Sequence, residues 1–218
     1  MSQSGLAFLS PDTFVLRSTL TSPFGRKVRI AIDVLGLSER ITVVPADTLD
    51  ENDSLRQQNP LGKLPCLLLA DGTALYDSGV IIEFLQEVAG GEALLPLHGL
   101  ERYTKLTLAT LADGITDAAL LMVYESRFRE AATYSQRWLA HQRGKIARAL
   151  AAFEASPPDP RKTDMATIAL ACAFGYLDWR KPVEWRPAHP RLVQWLEAFT
   201  VHEPAYARTR APAPTANP

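Results

Sequence analysis

"FVLRSTLTSPFGRKVRIAIDVLG", residues 14–36, changes its hydrophobic period halfway along. Phe14–Ser18 is a short apolar run of strand character. Val28, Ile30, Ala31, Val34 and Leu35 then share one face of a helix that Gly36 stops. The junction between them reads Thr21-Ser22-Pro23, and Ser ahead of Pro is a preferred helix start. The same junction, a strand end meeting a helix N-terminus, is where backbone N–H groups and the helix dipole favour an anion. The Ser22 hydroxyl therefore has two readings, a cap or the partner of an anion such as a thiolate. Thr21 and Ser18 are its weaker rivals.

Working outward, "ITVVPA" (41–46) is a second strand, with Pro45 marking an edge or an end. "LRQQN" (55–59) is a short helix that stops before Pro60. "PCLLLADGTALYDS" (65–78) reads as strand, Asp71-Gly72 turn and strand, and "SGVIIEFLQEVAG" (78–90) as an amphipathic helix. The order β-α-β-α-β-β-α implies a parallel pair followed by an antiparallel hairpin, a thioredoxin-like arrangement. After the connector "GGEALLPLHG" (90–99) no strand signal survives. Long helical patterns follow, the first able to bend at Gly114. "DMATIALACAFGYLDWR" (164–180) is apolar nearly all round, as a buried central helix would be. The expected organisation is an α/β domain over 13–90, an all-helical domain over 100–206 and a disordered tail over 207–218.

The formal net charge of −1 gives no overall field to recruit nucleic acid or an anionic membrane. Two distant cysteines, Cys66 and Cys172, form no disulfide framework and suit a reducing compartment. His98, His141, His189 and His202 lack metal-ligand spacing, so no metal is expected. The N-terminus carries no secretory features. The most apolar helical stretch, Met165–Leu177, falls short of the ~20 residues that span a bilayer. A soluble, cytoplasmic protein is expected.

"TSPFGRKVRIAI", "NPLGKLPCL", "YDSGVIIEFL" and an all-helical second half with "ACAFGYLDWR" and "HPRLVQWLEAF", in this order, resemble the cytosolic glutathione S-transferases. The likeness runs from Phe14 to Tyr206 and is nearest to bacterial transferase-like proteins of the serine type. It implies a thioredoxin-like domain followed by a helical one, usually in a homodimer. Glutathione would be the co-substrate, a small electrophile the second substrate, and detoxifying conjugation or peroxide reduction the activity. Such domains also occur as non-catalytic binding or regulatory modules, the alternative reading.

Carried onto this chain, the resemblance makes Ser22 the residue that contacts the glutathione thiolate. It makes the Leu64–Pro65 bond cis, leaving the Leu64 backbone for the cysteinyl segment, and Lys63 a contact to a carboxylate. Ser78 would receive the γ-glutamyl carboxylate and Asp77 the amino group. Asp77 or Ser78 also suffices as a helix cap, and Cys66 reads as a small core residue. Ser rather than Cys at position 22 disfavours disulfide exchange. The second-substrate wall has candidates in Tyr103, Leu106, Asp113, Asp117, Tyr124 and Phe128, most of which also fit a core or a dimer interface. Arg127 fits either an anionic ligand or a surface salt bridge. Near residue 164 the family's usual cap is swapped: Asp164 caps and Thr167 stands three residues on, for a weaker reciprocal cap.

Overall fold

The computed structural model describes residues 13–213, so the N-terminal reading and the end of the expected tail, 214–218, lie outside the described residues. The chain divides into two compact units between Leu95 and Pro96.

In the first unit, strand β1 (Phe14–Arg17) leads through helix α1 (Pro23–Val34) to β2 (Ile41–Val44), parallel to it. Helix α2 (Leu55–Gln58) precedes β3 (Cys66–Leu68) and β4 (Ala74–Leu75), which turn back antiparallel, and α3 (Ser78–Ala89) follows. The sheet order is β2-β1-β3-β4, so β2 is an edge and Pro45 stands just past its end. At the hairpin, Leu69 N–H donates to the Thr73 carbonyl at 2.8 Å, and Gly72 takes the positive φ of 88° that the turn needs. Val28, Ile30 and Ala31 of α1 are fully buried, as is Leu16 on β1. The helix also buries Arg26 and Lys27, a wider face than the apolar spacing implied. Gln86 of α3 closes the connector: its Oε1 accepts from Leu94 and Leu95 N–H, and its Nε2 donates to the Leu95 carbonyl.

Arg17, buried at the end of β1, gathers the segment ahead of β3. Its guanidinium donates to Ser54 Oγ at 2.8 Å, Gln58 Oε1 at 2.7 Å, Asp53 Oδ1 at 2.8 Å and the Pro45 carbonyl at 3.2 Å. Burial pushes the Asp53 carboxyl upward, but N–H donation from Leu55 and Asp47 and the Arg17 charge outweigh it and hold the pKa below its ordinary value. A depressed folded-state pKa contributes stability that is complete above the unfolded value near 3.8 and is lost as pH falls through the folded one. Urea midpoints measured from pH 6 to pH 2 should therefore fall more steeply below about pH 4 in the wild type than in Asp53→Asn. Equal slopes would show that the cluster does not act in this way.

The second unit is helical: α4 (Gly99–Phe128), α5 (Gln136–Ala155), α6 (Met165–Arg180), α7 (Pro190–His202) and α8 (Pro204–Arg208). Helix α4 runs unbroken through Gly114. Helix α6 is buried from Met165 to Leu177 at every residue but Gly175, the central helix that its apolar sequence implied. Its start carries the full reciprocal cap. Asp164 Oδ1 accepts from Ala166 and Thr167 N–H at 3.0 Å, and Thr167 Oγ1 accepts from Asp164 N–H at 2.9 Å. Lys105 of α4 pairs with the other Asp164 oxygen.

Two expectations change. Among the described residues α4, not the 165–177 stretch, is the one helix long and apolar enough to cross a membrane by length and composition, a test that core helices also pass. Its apolar run is broken in sequence by Asp113 and Asp117, which hid it. The expected disordered tail does not start at 207: Ala207 and Arg208 complete α8, Thr209 is buried, and Trp179 Nε1 donates to the Pro212 carbonyl at 2.8 Å.

Candidate functional site

The strand register of the first unit brings three loops to one end of the sheet. Arg17 pairs with Cys66, so Pro65 stands beside the residue that follows β1, Ser18. Leu75 pairs with Leu67, so the chain leaving β4 toward Asp77 emerges at that same end. The N-termini of α1 and α3, twelve residues each, follow directly from these loops.

Ser22 is the N-cap of α1, in extended conformation, and its Oγ accepts from Gly25 N–H at 3.0 Å. That bond uses a lone pair and leaves the hydroxyl proton available, so capping and donating to an anion are compatible in one group. Thr21 is exposed and its hydroxyl pairs with that of Thr19 at 3.1 Å. Ser18 is buried, with Oγ 3.4 Å from the Thr19 carbonyl. Gly25 is what lets these groups come together. A Cβ there would lie 2.1 Å from Ser18 Oγ and 3.2 Å from Ser22 Oγ.

The Leu64–Pro65 bond is cis, as the resemblance implied. Asn59, 1% exposed, braces the loop before it. Its Nδ2 donates to the Lys63 carbonyl at 2.9 Å and its Oδ1 accepts from Leu61 N–H at 3.0 Å. Lys63 itself is exposed and is tied to the loop through its backbone. Asp77, not Ser78, caps α3: its Oδ1 accepts from Gly79 N–H at 2.6 Å. Ser78 is the first helical residue, buried, with Oγ 3.5 Å from the Asp77 carboxylate. The Tyr76–Asp77 bond is cis as well. Cys66 is fully buried, and burial pushes its thiol up to about 11 against the pull of Arg17, which makes it a core residue and not a nucleophile.

Ser22, Leu64, Pro65, Asp77 and Ser78 thus sit on the loops and helix starts at one end of the sheet, and Lys63 joins them by its main chain. Sequence reading missed Asn59 and Gly25. The signals were present, an Asn before Pro60 and a small residue in the first turn of a helix, but neither type is specific by itself. The helical candidates all fall on α4. Tyr103 is exposed, whereas Tyr124 packs edge-on against Phe128 with ring centres 5.4 Å apart. Asp113 and Asp117 both have partners.

A thioredoxin-like α/β unit followed by a helical unit, with a capped helix start and a cis-prolyl loop at one sheet end, defines the class of protein. The comparisons with known proteins make it specific. Residues 21–88 match the family model described as glutathione S-transferase, N-terminal domain. The chain is 38% identical over 203 residues to the uncharacterized GST-like protein YibF of Escherichia coli K12, covering 90% of this chain and 98% of that one. A glutathione transferase family member from Pseudomonas fluorescens Pf-5, solved with bound glutathione, shares 40% identity and a TM-score of 0.86 over 92% of this chain and all of its own. A second structure of such a protein from Pf-5, 39% identical with a TM-score of 0.83 over 92% of this chain and all of its own, holds S-(propanoic acid)-glutathione. The chain belongs to the glutathione S-transferase family.

Proposed function

We propose that the protein is a glutathione S-transferase that activates the glutathione thiol for attack on a small electrophile. The observation that carries this reading is the meeting of Ser22, the cis Leu64–Pro65 loop and Asp77–Ser78 at one end of the sheet. In it the Leu64 backbone pairs with the cysteinyl residue as an added strand, and Ser78 and the start of α3 receive the γ-glutamyl carboxylate. Asp77 attracts the γ-glutamyl amino group, and Lys63 the remaining carboxylate. The Ser22 hydroxyl donates to the sulfur while its lone pair keeps the cap. Donation to an anion is among the stronger hydrogen bonds, and with the dipole of α1 it raises the thiolate fraction near neutral pH. Holding both reactants together supplies the rest of the acceleration.

Glutathione bound in the relatives' structures supports this assignment, and the carboxylated thioether in one of them is the kind of product such a reaction gives. The assay is conjugation of glutathione to an activated aryl halide, with glutathione binding read by calorimetry alongside. Binding with no turnover on halides or peroxides would favour a binding module, and no binding would remove the reading. We also propose a homodimer, supported by exposed Val80, Leu100 and Tyr103. Light scattering should then give twice the chain's mass.

A further inference from the structure

Helix α5 departs from the charge balance of the rest of the chain. Over its 20 residues it carries Arg137, Arg143, Lys145 and Arg148 against a single acid, Glu154. Glu154 is engaged with α7, where its oxygens accept from the N–H groups of Arg191 and Leu192 at 3.0 Å. None of the four cations pairs with a carboxylate among the described residues. Other exposed arginines of the helical unit do: Arg186 holds Asp178 at 2.6 Å, and Arg161 holds Asp159 at 3.2 Å.

Leu139, Ile146, Leu150 and Phe153 turn the apolar face of α5 into the core. Arg137, His141, Lys145 and Arg148 follow at steps of four, four and three residues, so they share one stripe on the exposed side. The stripe is about 16 Å long. Like charges at these spacings destabilise a helix unless something answers them. Trp138, 41% exposed, flanks the stripe and stacks on His141, with ring centres 6.0 Å apart and planes at 24°. The two rings line a hollow of about 590 Å³ with Ser135 and Arg137. Gly144 belongs to the same arrangement. Glycine inside a helix costs stability, and among the described residues the one atom within 4 Å of a Cβ placed there is Arg148 Nη1, at 3.1 Å. The missing side chain lets the Arg148 guanidinium lie back over the preceding turn, along the stripe.

We propose that this face of α5 binds single-stranded nucleic acid, with Arg137, Lys145 and Arg148 on phosphates and a base stacked on Trp138. Cations without carboxylates fit a polyanion. Stacked, half-open rings fit a polyanion that has π faces of its own, which bases supply and the side chains of an acidic peptide do not. A duplex covers those base faces, so the strand is single. An anionic membrane would take the apolar face of an amphipathic helix, and that face of α5 is buried. The chain's net charge of −1 adds no long-range attraction, so the contact is local and sensitive to salt.

The test is fluorescence anisotropy of a labelled oligothymidylate titrated with the full chain, repeated from about 20 to about 200 mM salt. The logarithm of the binding constant should fall against that of the salt concentration with a slope near −2, about 0.7 for each phosphate neutralised. Arg148→Gln should reduce the slope by about 0.7, and Arg137→Gln/Lys145→Gln/Arg148→Gln should abolish binding. Trp138→Leu should weaken binding at least about 5-fold at every salt concentration and leave the slope unchanged, which a purely electrostatic contact would not do. All four positions are exposed, so circular dichroism of the variants should match that of the wild type. No binding at about 20 mM salt, or binding that survives in the triple variant, would overturn the site. Equal affinity for the duplex with oligoadenylate would overturn the stacked base. Polyglutamate that competes as well as the oligonucleotide and is indifferent to Trp138→Leu would make the face a dock for an acidic protein, against the proposal. Thymidine monophosphate that competes equally well would make it a nucleotide pocket, which also contradicts the proposal. No arm uses glutathione, so the outcome is independent of the transferase reading.

Discussion

Replacing Ser22 by alanine should lower kcat/KM for glutathione conjugation about 10- to 100-fold, the worth of one hydrogen bond to a charged partner. The substitution also removes the cap that Gly25 N–H donates to, at a cost of about 1 kcal/mol in stability. Ser22→Asp separates the two roles. Aspartate is as good a cap as serine and keeps the helix start, but it brings a negative charge and no proton to the sulfur. Its melting temperature should stay within a few degrees of the wild type, while its activity falls at least as far as that of Ser22→Ala. If Ser22→Asp conjugates at the wild-type rate, Ser22 is a cap alone, and Thr21 or Ser18 inherits the role.

The second large effect should come from one methyl group. In Gly25→Ala the added carbon would sit 2.1 Å from Ser18 Oγ, inside any permitted contact, and 3.2 Å from Ser22 Oγ. Ser18, the residue after β1, is buried, so either its hydroxyl must turn within packed surroundings or the first turn of α1 must shift. Overpacking of this kind costs about 1–3 kcal/mol, and the shift displaces Ser22 from the position that its hydroxyl requires. Activity should fall on the order of 100-fold, since small misplacements at a reacting centre have that effect. Ser18→Ala removes the obstructing oxygen. The double variant Ser18→Ala/Gly25→Ala should therefore recover most of the stability and part of the activity lost in Gly25→Ala, a strongly non-additive pair. Additive losses would mean that Gly25 matters for another reason.

Much of this was legible in the sequence, for identifiable reasons. The change of hydrophobic period across residues 14–36 and the Asp71-Gly72 turn carry their own backbone geometry, and the strand order followed from them. The all-round apolarity of 164–180 announced a central helix because a helix buried on every side needs no polar face. The cis state of Leu64–Pro65 was not legible from residues alone, since the trans bond is the default; it came with the resemblance. Arg17, Asn59 and Gly25 were out of reach for a different reason. An arginine ending a strand, an asparagine before proline and a glycine in a helix acquire meaning only from partners thirty or more residues away or from a neighbour's oxygen. Arg127 had two readings in the sequence, and in the structure its guanidinium lies over the ring of Tyr124, 5.7 Å from the ring centre.

The claim on which the rest depends is that the end of the sheet holding Ser22 binds glutathione as its thiolate. The direct measurement is the ultraviolet absorbance of the thiolate of protein-bound glutathione, titrated with pH in the wild type and in Ser22→Ala. The bound thiol should ionise at least one pH unit below the ordinary thiol value near 8.5 in the wild type and return toward that value in the variant. A bound thiol that titrates at the ordinary value in both proteins would contradict the account.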